Sequence, residues 1–288
     1  MLNRQKILLL MLRYAGRPVQ RIELMKWCFL LRHESETRGG NSFYGFVPYL
    51  FGPFSFAMYQ EIEKLSSTNY VVCHGERDWK LNPDLRYDIS GVSTGVEREI
   101  MRIIREFGGL SNESLLEYVY QHHPAYTVNS ERQKLVSRKK AKLSVYTAGY
   151  EGVCIDEFLN LFVDTGIERV IDVRSNPIAR RYGFHKRTFA RLLGHLSIEY
   201  QHFAELGIQS EVRRLYPPDG DRKDMFDQYE AITLKHQVTS IEEVSQLVNQ
   251  KPSVLVCMEG NPSNCHRSRL ANSVSQLTGL PIVHLGIN

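Results

Sequence analysis

Three short polar stretches hold most of the residues in this chain that could do chemistry. They run Thr147-Ala148-Gly149-Tyr150-Glu151-Gly152, Asp172-Val173-Arg174-Ser175-Asn176-Pro177, and Cys257 through Glu259, Asn261 and Asn264 to Cys265-His266-Arg267. Together they supply Glu151, Asp172, Arg174, Glu259, His266 and Arg267. Gathering so many ionisable groups costs free energy unless they are paired or used. Such clusters are enriched at functional sites. Asp172 and Glu259 are the expected catalytic pair. Two carboxylates facing one cavity suit cleavage at a sugar carbon: one stabilises an oxocarbenium-like centre or activates water, and the other assists the leaving group. Tyr150 offers a stacking face for a base. Glu151, Arg174 and Asn176 are expected to bind substrate or phosphate. The competing reading is a salt-bridge network of Asp172, Arg174, Glu259 and Arg267.

Cys265-His266-Arg267 reads as a helix start. Ser263 or Asn264 can cap it, and its free N–H groups beside Arg267 make an anion site. Two thiol readings compete with this one. A helix N-terminus lowers a cysteine pKa, which would make Cys265 a nucleophile, but the loop lacks an arginine-closed phosphate cradle. Cys257, Cys265 and His266 are also zinc-ligand types, although structural zinc wants four ligands and the gap between the cysteines is wide. The expectation is therefore no metal and no cofactor, with Cys257 an ordinary buried strand residue.

A polyanion partner is suggested downstream of the second stretch. Arg180, Arg181, His185, Lys186, Arg187 and Arg191 crowd one segment, with Tyr182 and Phe184 among them. Cations interleaved with aromatics fit phosphate contacts plus base stacking. A solvated charged face is the alternative. Arg180, Arg181, Lys186 and Arg187 are the expected grips on a DNA backbone. Arg213, Arg214, Arg222 and Lys223 add a further loop, diluted by Asp219 and Asp221, and Leu206 to Gly220 reads as a mobile lid.

The elements that must position these residues alternate between strand and helix after about residue 143. Strands are expected at Ser144–Ala148, Arg169–Val173, Ile198–Phe203, Val254–Met258 and Ile282–Leu285. Helices fall between them, one capped by Asp156 and others near 224–235 and 240–250. That alternation predicts an α/β fold, a mostly parallel sheet with helices on both faces. Ligands of such sheets sit beyond the carboxyl ends of the strands. Before residue 130 the pattern is mostly helical. Ile7 to Leu12 is the buried stripe of a first helix, Ser55 caps another, and Tyr70–His74 with Trp79–Leu81 forms a hairpin. Two more helices follow near 96–106 and 112–122. Helices with a small hairpin predict a winged-helix-like domain over 1–129. A basic linker (Arg132, Lys134, Arg138, Lys139, Lys140, Lys142) spans 130–142 and the α/β domain 143–288.

Two family resemblances sharpen this division. Residues 144–285 resemble the DUF488 family through Gly149-Tyr150-Glu151-Gly152, Asp172 to Pro177, Glu199-Tyr200, Glu205-Leu206-Gly207 and Cys257 through Arg267. That resemblance implies an α/β fold with a site at these motifs, and leaves the chemistry open. Tyr49-Leu50-Phe51-Gly52-Pro53-Phe54-Ser55, with Tyr59, Glu117-Tyr118-Val119-Tyr120 and Pro124, is similar to the Panacea-type antitoxin-associated domain. It implies a winged-helix-like module in bacterial toxin–antitoxin and defence contexts, with no catalytic residue.

Composition limits the remaining classes. The chain has 288 residues, a net charge of +4, 42% hydrophobic and 24% charged residues. These are ordinary globular values that exclude wholesale disorder and collagen-like repeats. Five scattered cysteines argue for a reducing cytoplasm rather than a disulfide framework, and the longest early apolar run is too short to span a bilayer. The leading expectation is a DNA glycosylase that hydrolyses the N-glycosidic bond of a modified or damaged base in antiphage defence, which would require flipping the base. The alternatives are a non-catalytic nucleic-acid or nucleotide-binding regulator of toxin–antitoxin type, and a cysteine-dependent redox or transfer enzyme.

Overall fold

The computed structural model describes residues 1–75, 78–84, 86, 88, 90–216 and 223–286. The chain divides into two compact units between Ser137 and Arg138. In the first, α1 (Asn3–Ala15) buries every residue from Ile7 to Leu12 and ends at Gly16 in the left-handed conformation that glycine tolerates. β1 (Val19–Gln20) leads into α2 (Arg21–Glu34), which buries Trp27, Phe29 and their neighbours. The Tyr49–Ser55 motif forms a hairpin of β2 (Val47–Tyr49) and β3 (Gly52–Phe54) that local patterns did not predict. Gly52 is required there, because its φ is +81° and a Cβ would lie 2.7 Å from the Tyr120 ring. Ser55 caps α3 (Phe56–Ser67) through the Met58 amide at 3.2 Å. β4 (Val71–His74) and β5 (Asp78–Leu81) pair as expected, and β1 joins them in the order β1-β5-β4. Ser93 and Ser111 cap α4 (Thr94–Phe107) and α5 (Asn112–His122).

The segment after α5 is less linker-like than its charge suggests. Glu131 N donates to Leu50 O, and Leu135 N donates to Thr127 Oγ1, both at 2.9 Å. Arg138 donates to the carbonyls of Leu196 and Ile167 in the second unit. Backbone acceptors, not phosphates, occupy that guanidinium.

The second unit is built on a five-stranded sheet that is parallel throughout. Its strands are β6 (Val145–Gly149), β7 (Arg169–Asp172), β8 (Glu199–His202), β9 (Ser253–Cys257) and β10 (Ile282–Leu285), in the order β10-β6-β9-β7-β8. The helices are α6 (Ile155–Thr165), α7 (Lys186–His195), the short α8 (Ser210–Arg214) and α9 (Lys223–Gln228), α10 (Val238–Gln250) and α11 (Arg267–Thr278). Consecutive residues of β7 and β9 are fully buried, so both sheet faces are covered. Ile171, Val173, Leu255 and Cys257 pack into one core with α10 and α11. Val170 and Val256 are buried outside that core, facing the other way.

Several local expectations are corrected. Cys154, not Asp156, holds the N-cap position of α6, and Asp156 is buried in its first turn. Ser263 and Asn264 belong to a 3₁₀ turn capped by Asn261, and α11 begins only at Arg267. The expected lid starts at the last residue of a 3₁₀ turn (Ala204–Leu206) and contains α8. Its end, with Asp219 and Gly220, lies outside the described residues, as do Asp221 and Arg222 of the further cationic loop. α9 continues as a π-helical stretch, Tyr229–Leu234, an element found often at functional sites.

Candidate functional site

The register brings the ends of β6, β9 and β7 side by side, with Gly149 opposite Cys257 and Asp172 opposite Val256. Gly149 admits this close approach: a Cβ there would sit 1.8 Å from the carbonyl oxygen of Glu259. The three polar stretches therefore neighbour one another in space. They do not form one hollow. Strand side chains alternate between faces, so Asp172 points to the side of Val170 and Val256, and Cys257 to the opposite side.

On the first side stands a closed arginine centre. Asp172 is fully buried and bound to Arg174 through Nε at 2.8 Å and Nη2 at 2.6 Å, a bidentate pair. It also accepts from the Arg174 amide and from Tyr200 Oη at 2.7 Å. Arg174 Nη1 donates to Tyr150 Oη and to the Phe184 carbonyl, each at 2.9 Å. The Tyr150 ring stacks on Phe184 at 4.1 Å and 12°. These contacts change three expectations. Asp172 has its lone pairs committed, Arg174 its donors, and Tyr150 its stacking face. Burial first and the Asp172 charge second raise the Tyr200 hydroxyl far above the ordinary tyrosine value, with Arg174 opposing them. Tyr200 took no part in the site expected from the residues, although it lies in one of the motifs quoted for the resemblance.

On the other side lies a cluster of Cys257, Glu259, Cys265 and His266, all buried. Glu259 Oε2 is 3.0 Å from Cys257 Sγ and 3.1 Å from Cys265 Sγ. His266 Nδ1 is 3.8 and 3.9 Å from the same sulfurs. Its Nε2 meets the Val173 carbonyl at 3.0 Å, and its ring lies edge-on to Tyr229 at 5.3 Å. Arg213, grouped by sequence with a surface loop, donates to Glu259 Oε1 at 3.1 Å. Burial, then the Cys257 charge, raises the Glu259 carboxyl. Burial opposes ionisation of Cys257, but the Cys265 thiol, His266 and Arg213 outweigh it and bring that thiol well down. Cys265 is raised by burial and by its neighbouring thiol. A buried, raised thiol is not the exposed nucleophile considered above. The wide sequence gap between the cysteines closes because the chain turns back after β9.

Arg267 is buried and donates to the carbonyls of Glu259 and Gly260, the latter at 2.9 Å. It ties down the loop instead of presenting itself to phosphate. Glu151 is exposed and accepts from the Gly260 amide at 2.9 Å. A cavity of about 200 Å³ borders the cluster, lined by Arg213, Tyr216, Phe226, Glu259 and His266 among others.

Asn176, Arg180, Arg181, Lys186 and Arg187 are exposed along the β7–α7 connection. Arg181 donates to the Val153 carbonyl at 2.7 Å, and Lys186 Nζ to His202 Nδ1 at 2.8 Å. Among the described residues, none of these four cations pairs with a carboxylate.

The fold and motifs define the class of the second unit. The family described as Domain of unknown function DUF488 matches residues 154–274, so a DUF488 domain occupies the carboxyl-terminal half. Its matched range takes in Asp172 to Pro177 and Cys257 to Arg267 and begins after Gly149–Gly152. No curated protein and no solved structure matches the chain.

Proposed function

We propose that the protein is a DNA-binding regulator of the toxin–antitoxin and antiphage type. The observation that carries this reading is the exposed cationic edge at the β7–α7 connection. Arg180, Arg181, Lys186 and Arg187 stand exposed there without carboxylate partners among the described residues, beside the half-buried Tyr182. Exposed cations without carboxylate partners neutralise phosphates at little desolvation cost, and the counterions they release drive association. The N-terminal unit adds support: helices α1 to α5 accompany the antiparallel β1-β5-β4 sheet, an arrangement compatible with a winged-helix-like module, which the Panacea resemblance also implies. Five free cysteines favour a reducing cytoplasm. Among the described residues no helix is long and apolar enough to cross a membrane.

Hydrolysis of a base–sugar bond is the second reading. The cavity of about 200 Å³ beside Glu259 and Arg213 favours it. It lacks a second carboxylate, because Asp172 is consumed by Arg174 and Tyr200.

The test is fluorescence anisotropy with duplex DNA across a salt series. The wild-type chain should bind with a strongly negative log–log salt slope. Replacing Arg180, Lys186 and Arg187 by Ala should weaken binding and flatten that slope by roughly 0.9 for each phosphate no longer neutralised. Equal binding by the triple variant refutes the proposal. Incubation with DNA carrying modified bases, followed by alkali, separates the two readings: strand breaks would favour hydrolysis, and intact DNA the regulator.

A further inference from the structure

The thiol cluster has the composition and the spacing of a metal centre. Two sulfurs, one carboxylate oxygen and one imidazole nitrogen lie within 4.8 Å of one another. Around a tetrahedral ion with bonds of about 2.0–2.3 Å, ligand atoms stand roughly 3.3–3.8 Å apart. The four observed sulfur separations, 3.0 and 3.1 Å to Glu259 Oε2 and 3.8 and 3.9 Å to His266 Nδ1, bracket that range.

The surroundings orient each donor. The Val173 carbonyl can only accept, so His266 Nε2 carries a ring proton, and the nitrogen that faces the sulfurs is Nδ1, the one that coordinates once it gives up any proton. A backbone carbonyl holding the far nitrogen is the usual partner of a metal-ligating histidine. Arg213 occupies Glu259 Oε1 and leaves Oε2 for the centre. The cluster lies at the end of β9 and just before α11, so one ion would join strand to helix. Once deprotonated to bind a metal, the two thiolates and the carboxylate would repel one another in this buried space, and a divalent cation offsets that charge.

We propose that Cys257, Glu259, Cys265 and His266 form a four-coordinate zinc site. Two thiolates with imidazole and carboxylate suit a borderline-soft ion without geometric preference. Four protein ligands close the coordination sphere, so the ion's role is to hold the carboxyl end of β9 against the start of α11. The site shares no residue with the cationic β7–α7 edge and stands whether or not that edge binds DNA. It competes with the hydrolytic reading for Glu259, since a carboxylate on zinc is not free to activate water.

The test uses the full chain purified under reducing conditions, with metal content measured by plasma mass spectrometry. One zinc per chain is expected, falling to none in Cys257→Ser and in Cys265→Ser, and unchanged in Cys73→Ser, whose thiol is exposed far from the cluster in sequence. Cobalt exchanged into the wild-type chain should show sulfur-to-metal charge transfer and the intense visible bands of tetrahedral coordination. Should the serine variants fail to fold, titrating the wild-type thiols with an organomercurial must release zinc in step with thiol modification. A folded, reduced chain that carries no zinc and takes up no cobalt overturns the proposal. So does a cobalt spectrum without sulfur bands, or zinc retained by both folded serine variants.

Discussion

Lys26 offers a sharp test of the electrostatics in the N-terminal unit. Its side chain lies inside the core of α2, and Nζ donates to the Pro53 carbonyl at 2.7 Å. Burial lowers its pKa from the ordinary 10.5 to about 7. At about 1.4 kcal/mol per pKa unit, that depression corresponds to a folding penalty of roughly 5 kcal/mol for the charged lysine. The direction follows from proton counting. Between about pH 7 and pH 10.5 the unfolded chain holds a proton that the folded chain has released, so stability rises with pH by about 1.4 kcal/mol per unit; below that window the penalty is complete and constant. Lys26→Met removes the titration together with one hydrogen bond worth about 1 kcal/mol. Near pH 6 the variant should be more stable than wild type by roughly 4 kcal/mol, and the difference should vanish toward pH 10. Urea unfolding followed by tryptophan fluorescence measures this directly, because Trp27 and Trp79 are both buried in the N-terminal core. A stability difference that stays constant between pH 6 and pH 10 would refute the reasoning.

Three further outcomes test the C-terminal unit. Arg174→Ala leaves the Asp172 carboxylate buried without its cation, and should cost about 3–5 kcal/mol in urea unfolding followed by circular dichroism. Asp172→Asn should also destabilise the unit while the folded fraction keeps its DNA affinity, as expected of a carboxylate that supports the fold; loss of binding at full stability would contradict that role. Gly149→Ala forces a Cβ against the Glu259 backbone at 1.8 Å, and its destabilisation should reach or exceed the upper end of the roughly 1–3 kcal/mol usual for overpacking. An unchanged melting temperature would show that the β6 and β9 ends stand farther apart than this.

Much of the architecture was legible locally. The buried run Ile7 to Leu12, the serine cap at Ser55, the Tyr70 to Leu81 hairpin and the strand–helix alternation after residue 143 each depend on short-range patterns: helical periodicity, side-chain capping and two-residue alternation. These set which segments are strands, and therefore that the three polar stretches sit at strand ends. The site itself was legible only in its residue types. Asp172 and Glu259 are near in topology, yet strand parity sends Asp172 to Arg174 and Tyr200, and Cys257 to Glu259, Cys265 and His266. Parity is readable along one strand. Which core each face meets depends on the order β10-β6-β9-β7-β8, and no local pattern encodes that order. The same holds for the cysteines, since the turn after β9 closes a distance that spacing alone left open. Sequence by itself determined the elements and the chemical groups available; only long-range packing decided which groups share a dielectric and a partner, because charge–charge and ligand geometry depend on distances that the chain sets after it has folded.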